Sequence, residues 1–188
     1  MRVFASIAIL ASCFSVAASS QTSTSPPKPS AEPEVTHINF EGSALDIAWT
    51  RDQHVVEKTL ELPSNVAWSA YPSVFADLRI DPNIISSDQM IFGSAAYHRN
   101  TLGKKRLSHY FECGNLLGVA TADSYDVWIR VISQILPIDG SLSTVRTQVE
   151  ATARIGDRSG ETVRCSSTGL LESQIAKLLV EEGAKLQK

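Results

Sequence analysis

Apolar and polar side chains alternate most regularly in the second half of the chain. Tyr125, Val127, Ile129 and Val131 are interleaved with Asp126, Trp128, Arg130 and Ile132. After Pro137-Ile138-Asp139-Gly140 the alternation resumes, with Val145, Val149, Ala151, Ala153 and Ile155 set against Arg146, Gln148, Glu150, Thr152 and Arg154. A period of two predicts strands, and a turn-forming tetrapeptide between two such runs predicts a long hairpin with one face in the core and one in water.

Residues 35–40 and 45–49 are shorter alternating runs around Glu41-Gly42-Ser43 and predict an opening hairpin, and a third run over 55–62 ends at Pro63. The rhythm then changes. Ala67, Ala70, Tyr71, Val74, Phe75 and Leu78 recur at helical spacing, with Ser64 placed to cap the helix and Pro72 to bend it. Residues 89–97 and 105–113 predict two more strands joined by a turn over Arg99-Asn100-Thr101-Leu102-Gly103. A polar loop with Gly156-Asp157-Arg158 and Ser159-Gly160 leads to Cys165, and a last helix opens behind Ser166-Ser167-Thr168-Gly169. Leu171, Ile175 and Leu178 lie on its buried side, with Glu181 and Lys185 as an outward i, i+4 pair. Grouped strands with one early helix and one at the end predict an α+β fold: an antiparallel sheet with an inserted helix and a C-terminal helix packed on one face.

The ends change the picture. After Met1-Arg2, residues 3–18 carry no charge and include Ile7, Ile9, Leu10, Phe14 and Val16, the pattern of a signal peptide. Ser19, Ser20 and Thr22 follow too soon for the ~20 apolar residues of a membrane span. Two processing schemes compete. Cleavage after Val16-Ala17-Ala18 gives a chain beginning near Ser19, whereas Leu10-Ala11-Ser12-Cys13 resembles a bacterial lipobox and makes Cys13 a candidate lipidation site. The apolar run continuing through Ala18 favours the first scheme. Residues 19–33 are mostly Ser, Thr and Pro with no large apolar side chain, which predicts a flexible linker before a single domain over 34–188.

Either scheme leaves Cys113 and Cys165. In an exported chain they predict a disulfide, with two unpaired core thiols as the alternative. Two cysteines cannot complete a zinc site, and His37, His54, His98 and His109 lack ligand spacing, so no metal is expected.

The segment Leu60-Glu61-Leu62-Pro63-Ser64-Asn65-Val66-Ala67-Trp68, followed by Leu78-Arg79-Ile80, resembles the opening of helix-grip domains in bacterial envelope lipoproteins of the outer-membrane β-barrel assembly type. The ending, Cys165-Ser166-Ser167-Thr168-Gly169-Leu170-Leu171-Glu172, is more similar to uncharacterised exported bacterial proteins. The first resemblance implies a helix gripped by a sheet. Neither implies an activity.

Motifs of catalysis are missing from the sequence. It has no Gly-x-Ser-x-Gly turn, no phosphate-binding glycine loop and no Cys-x-x-Cys. Glu112, Asp123 and Asp126 are candidates for a carboxylate pair, with solvated surface as the plainer reading. Charge gives the one local anomaly. From Gln89 to Phe111 there is no acid, but Arg99, Lys104, Lys105 and Arg106 are present in a chain of net charge −3. Such a basic tip is a candidate contact for phosphate head groups or an acidic partner. Trp68, Tyr71 and Phe75 could line a helix–sheet groove for an apolar ligand, with core packing as the simpler explanation.

The expectation is therefore a non-enzymatic envelope module that binds a protein partner or a membrane surface, without cofactor and without nucleic acid. A carrier of an apolar ligand and a small hydrolase are the alternatives.

Overall fold

The computed structural model describes residues 34–40, 43–49, 55–155 and 161–188. The predicted signal peptide, Cys13, the predicted linker, His54 and residues 156–160 lie outside the described residues.

β1 (Glu34–Phe40) and β2 (Ser43–Trp49) form the opening hairpin, and β3 (Val56–Leu60) follows. Then come α1 (Ser64–Asp77), β4 (Ile84–Ser86), β5 (Ile91–Arg99) and a small ladder of β6 (Thr101–Leu102) with β7 (Lys105–Arg106). A 3-10 turn over Leu107–His109 leads to β8 (Phe111–Glu112) and to a second small ladder, β9 (Asn115–Leu116) with β10 (Val119–Ala120). α2 (Thr121–Ser124), β11 (Asp126–Pro137), β12 (Ser143–Arg154), β13 (Thr162–Ser167) and α3 (Leu170–Leu186) complete the chain.

The main sheet, among the described residues, runs β4-β5-β11-β12-β13-β8, with β3 pairing the other end of β12, and all of its ladders are antiparallel. The predicted long hairpin is β11–β12, with Val131 opposite Val149 and Ile129 opposite Ala151. Those residues share a core with Ala67, Tyr71, Val74 and Phe75 of α1 and with Leu171, Ile175 and Leu179 of α3, so both long helices cover one face of the sheet. The fold is α+β, with one inserted and one C-terminal helix.

The other face of the long hairpin is not simply wet. Near its turn, Ile132, Gln134, Arg146 and Gln148 are all buried. Ile38, Ile47 and Trp49 of the opening hairpin pack there against Ile84, Ile91 and Ile132. Arg146 is only 4% exposed. Its Nε donates to Gln134 Oε1 at 2.8 Å, its two terminal nitrogens donate to the Glu34 carboxylate at 2.7 and 2.8 Å, and its guanidinium lies 4.2 Å from the centre of the Trp49 ring. A polar period-two face is thus half covered by a hairpin from the far end of the chain. The guanidinium also holds the Glu34 carboxyl below its usual range through the hydrogen bonds between them.

Other expectations shift in detail. Pro63, not Ser64, is the N-cap of α1, and its carbonyl accepts from the backbone N–H of Val66 and Ala67 at 3.1 and 3.0 Å. The helix continues through Pro72 to Asp77. Residues 105–113 do not form one strand. The turn lies at Gly103-Lys104, where Gly103 takes φ +59° and an added Cβ would meet the Leu78 backbone at 3.4 Å, and Leu107 and Tyr110 then bury their side chains one helical turn apart. On α3 the ion pairs are Lys177–Glu181 at 3.6 Å and Glu182–Lys185 at 2.5 Å in place of Glu181–Lys185.

Cys113 and Cys165 are disulfide-bonded across 52 positions. Cys165 lies inside β13 and Cys113 follows β8. The bond therefore ties the 111–116 segment to the sheet.

Candidate surface-binding site

The basic residues of the acid-free window fall in two settings. Lys104 and Lys105 stand exposed at and beside the turn of the β6–β7 hairpin, and neither has a carboxylate partner among the described residues. Arg99 and Arg106 are also exposed, but each faces an acid from the segment that follows: Arg99 Nε lies 3.8 Å from Asp126 and Arg106 3.9 Å from Asp123. Unneutralised positive charge thus concentrates on the two exposed lysines, at a tight turn that Gly103 admits.

Asp123 joins this hairpin to its neighbour. It accepts from the Ser108 backbone N–H at 2.9 Å and from the Ser108 hydroxyl at 2.7 Å, besides facing Arg106. Asp123 sits on α2, which begins directly after β10. The basic hairpin and the β9–β10 hairpin therefore brace against a common support. The second hairpin closes through Leu117-Gly118, both at positive φ, 52° and 82°. Leu117 is 97% exposed, Leu116 42% and Val119 55%. Leu117 on the turn and Leu116 and Val119 on its two strands thus face solvent beside the support of the lysine turn.

At the foot of this hairpin lies an open cavity of roughly 480 Å³, with Ser108, Phe111, Glu112, Cys113, Asn115 and Ala120 among its walls. The disulfide fixes one foot and α2 the other. Glu112 is in this cavity, Asp123 braces the two hairpins and Asp126 faces Arg99. The three candidate carboxylates thus serve separate settings and form no hydrogen-bonded pair. Among the described residues, no group of three or more His, Cys, Asp or Glu side chains is placed to hold a metal ion. No helix among them is long and apolar enough to cross a membrane.

Trp68, Tyr71 and Phe75 lie between α1 and the sheet, but as packed core. The Tyr71 ring stacks on Phe92 at 5.3 Å, Phe75 meets Phe92 edge-on at 4.9 Å and Trp68 meets it edge-on at 5.8 Å. Tyr71 and Phe75 are fully buried. The Tyr71 hydroxyl donates to Ser133 at 2.9 Å, and burial pushes its pKa up. The side chains proposed to line a groove fill that space themselves.

Leu116, Leu117 and Val119 were not among the residues singled out from the sequence, because they belong to no periodic run. The available signal was an apolar pair enclosed by glycines, Gly114-Asn115-Leu116-Leu117-Gly118, in a segment too short to form a core element. Compared with protein families, curated proteins and solved structures, the chain finds no match.

Proposed function

We propose that this chain is an exported, non-enzymatic module that docks peripherally on an anionic membrane surface through the end carrying the β6–β7 hairpin. The observation that carries this reading is the pair Lys104 and Lys105, exposed at a tight turn without a carboxylate partner among the described residues, while the neighbouring Arg99 and Arg106 are partly neutralised. An exposed positive charge without a carboxylate partner, on an acidic protein, gains most from a negatively charged surface. Export is supported by the N-terminal pattern and by the Cys113–Cys165 bond, which persists in oxidising compartments. The reading as a binding module is further supported by the separate partners of Glu112, Asp123 and Asp126.

The test is sedimentation of the domain with vesicles of phosphatidylglycerol and phosphatidylcholine, comparing wild type with Lys104→Ala/Lys105→Ala. Each lysine near such a surface contributes about 1 kcal/mol, so the double variant should bind roughly thirtyfold more weakly and lose much of its salt dependence. Equal binding by both proteins at every salt concentration would overturn the proposal.

A further inference from the structure

The β9–β10 hairpin has no structural reason to present leucine at its turn. A two-residue turn with both residues at positive φ favours Asn-Gly or Gly-Gly, because a side chain with a Cβ is strained there. The chain places Leu117 at φ +52° in front of Gly118, against local backbone preference. Leu117 is also 97% exposed, so hydration disfavours the same choice. Neither folding nor solubility accounts for it. Leu116 and Val119, 42% and 55% exposed, extend the apolar surface down both strands of the hairpin.

We infer that Leu116, Leu117 and Val119 form an insertion tip that enters the hydrocarbon edge of a phospholipid bilayer. The occupant is argued from shape and charge. Three side chains at the end of a two-stranded hairpin offer far less than the ~800 Å² per partner of a stable protein interface, whereas a bilayer receives such a tip without requiring a matching pocket. The tip is held firmly enough for the purpose. Cys113, bonded to Cys165, immediately precedes one foot, and α2 continues from the other. Arg106 and Ser108, which lead out of the lysine hairpin, both contact Asp123 on that helix, so the positive charge and the apolar tip are carried by neighbouring segments tied to one support. Peripheral binding of this kind combines buried apolar area with attraction to anionic lipid. The inference rests on the reading that this end of the molecule meets a membrane.

Leu117→Asn separates insertion from folding, because asparagine tolerates the left-handed turn conformation better than leucine. The variant should melt no lower than wild type and bind phosphatidylglycerol–phosphatidylcholine vesicles about tenfold more weakly, a loss of about 1.4 kcal/mol. That loss should persist in high salt, where the contribution of the lysines is screened. A second variant, Leu117→Trp, should show a blue-shifted emission on adding vesicles and quenching by phosphatidylcholine brominated in its acyl chains.

Unchanged vesicle binding by Leu117→Asn, or a tryptophan whose emission neither shifts nor is quenched, would overturn the insertion tip. If Lys104→Ala/Lys105→Ala still weakened binding in that case, surface docking would stand without insertion. Failure of the wild-type domain to bind any vesicle would overturn both.

Discussion

Removing the disulfide tests how the base of the proposed site is held. Cys113→Ala/Cys165→Ala opens a cross-link spanning 52 positions, for which the chain-entropy relation gives about 4 kcal/mol at room temperature. The loss should fall unevenly. β8 meets β13 through only two residue pairs, Glu112 with Ser166 and Phe111 with Ser167, whereas β11 and β12 pair over twelve. Without the covalent bond the 111–116 segment is held by those two pairs, by buried Phe111 and by the hydrogen bond from Thr121 N–H to the Gly114 carbonyl, while the long hairpin and its two helices retain their core. A domain of this size shifts by ~2–4 °C per kcal/mol, so the melting temperature should fall by about 8–16 °C. Thermal unfolding followed by circular dichroism reads the global change, and amide exchange at 111–120 reads the local one. Reduced wild type should behave like the variant. A fall of less than ~2 °C, or faster exchange spread evenly over β11 and β12, would refute the reasoning that this bond secures the foot of the apolar hairpin.

Glu34→Ala leaves the Arg146 guanidinium buried with Gln134 and Trp49 alone; because water can reach the Glu34 side, urea unfolding should show a loss nearer ~1–2 kcal/mol than the ~3–5 of a fully buried broken pair. Arg146→Met, which keeps an apolar chain over Trp49, should restore part of that loss in the Glu34→Ala background, and identical stabilities of all three proteins would contradict the anchoring role. Gly93→Ala should destabilise by about 1–3 kcal/mol, since a Cβ there would lie 2.6 Å from the Val131 carbonyl oxygen; unchanged stability would mean that β5 and β11 are less closely paired than described. Stability should fall as the solution is acidified through two windows. Burial lowers the His98 pKa, so the folded state resists the proton that the unfolded chain takes up below about 6.5. The lowered Glu34 pKa removes a further contribution as the pH falls through and below the ordinary carboxylate range. Unfolding free energies that stay flat from neutral to acid pH would contradict both assignments.

The elements with a long, unbroken period were legible in the sequence. Val127, Ile129 and Val131 against Val149, Ala151 and Ala153 gave the central hairpin, and Ala67 to Leu78 gave α1, because in each case the repeat is set by one face meeting one core. What the pattern could not carry was contact between distant segments. Arg146 and Gln134 look like wet-face residues until Glu34, 112 positions away, covers them. Periodicity reports that a face is polar, not that a remote hairpin satisfies it. Residues 105–113 failed for the opposite reason: Leu107, Tyr110 and Phe111 are apolar, but they bury themselves through a hairpin end, a 3-10 turn and a two-residue strand, none long enough to establish a period. The candidate site was half visible. Lys104 and Lys105 were marked by the missing acids around them, whereas Leu117 is conspicuous only once its exposure and its backbone conformation are known together.

Amide hydrogen exchange of the oxidised domain, free and bound to phosphatidylglycerol–phosphatidylcholine vesicles, tests the central claim most directly. Surface docking with an inserted tip predicts protection confined to two stretches, the lysine hairpin around Gly103 to Arg106 and the apolar hairpin from Asn115 to Ala120, with the α1–α3 side of the domain unchanged. Protection centred instead on the open sheet face around Tyr97 and Trp128, or no protection anywhere at vesicle concentrations that sediment the protein, would contradict it.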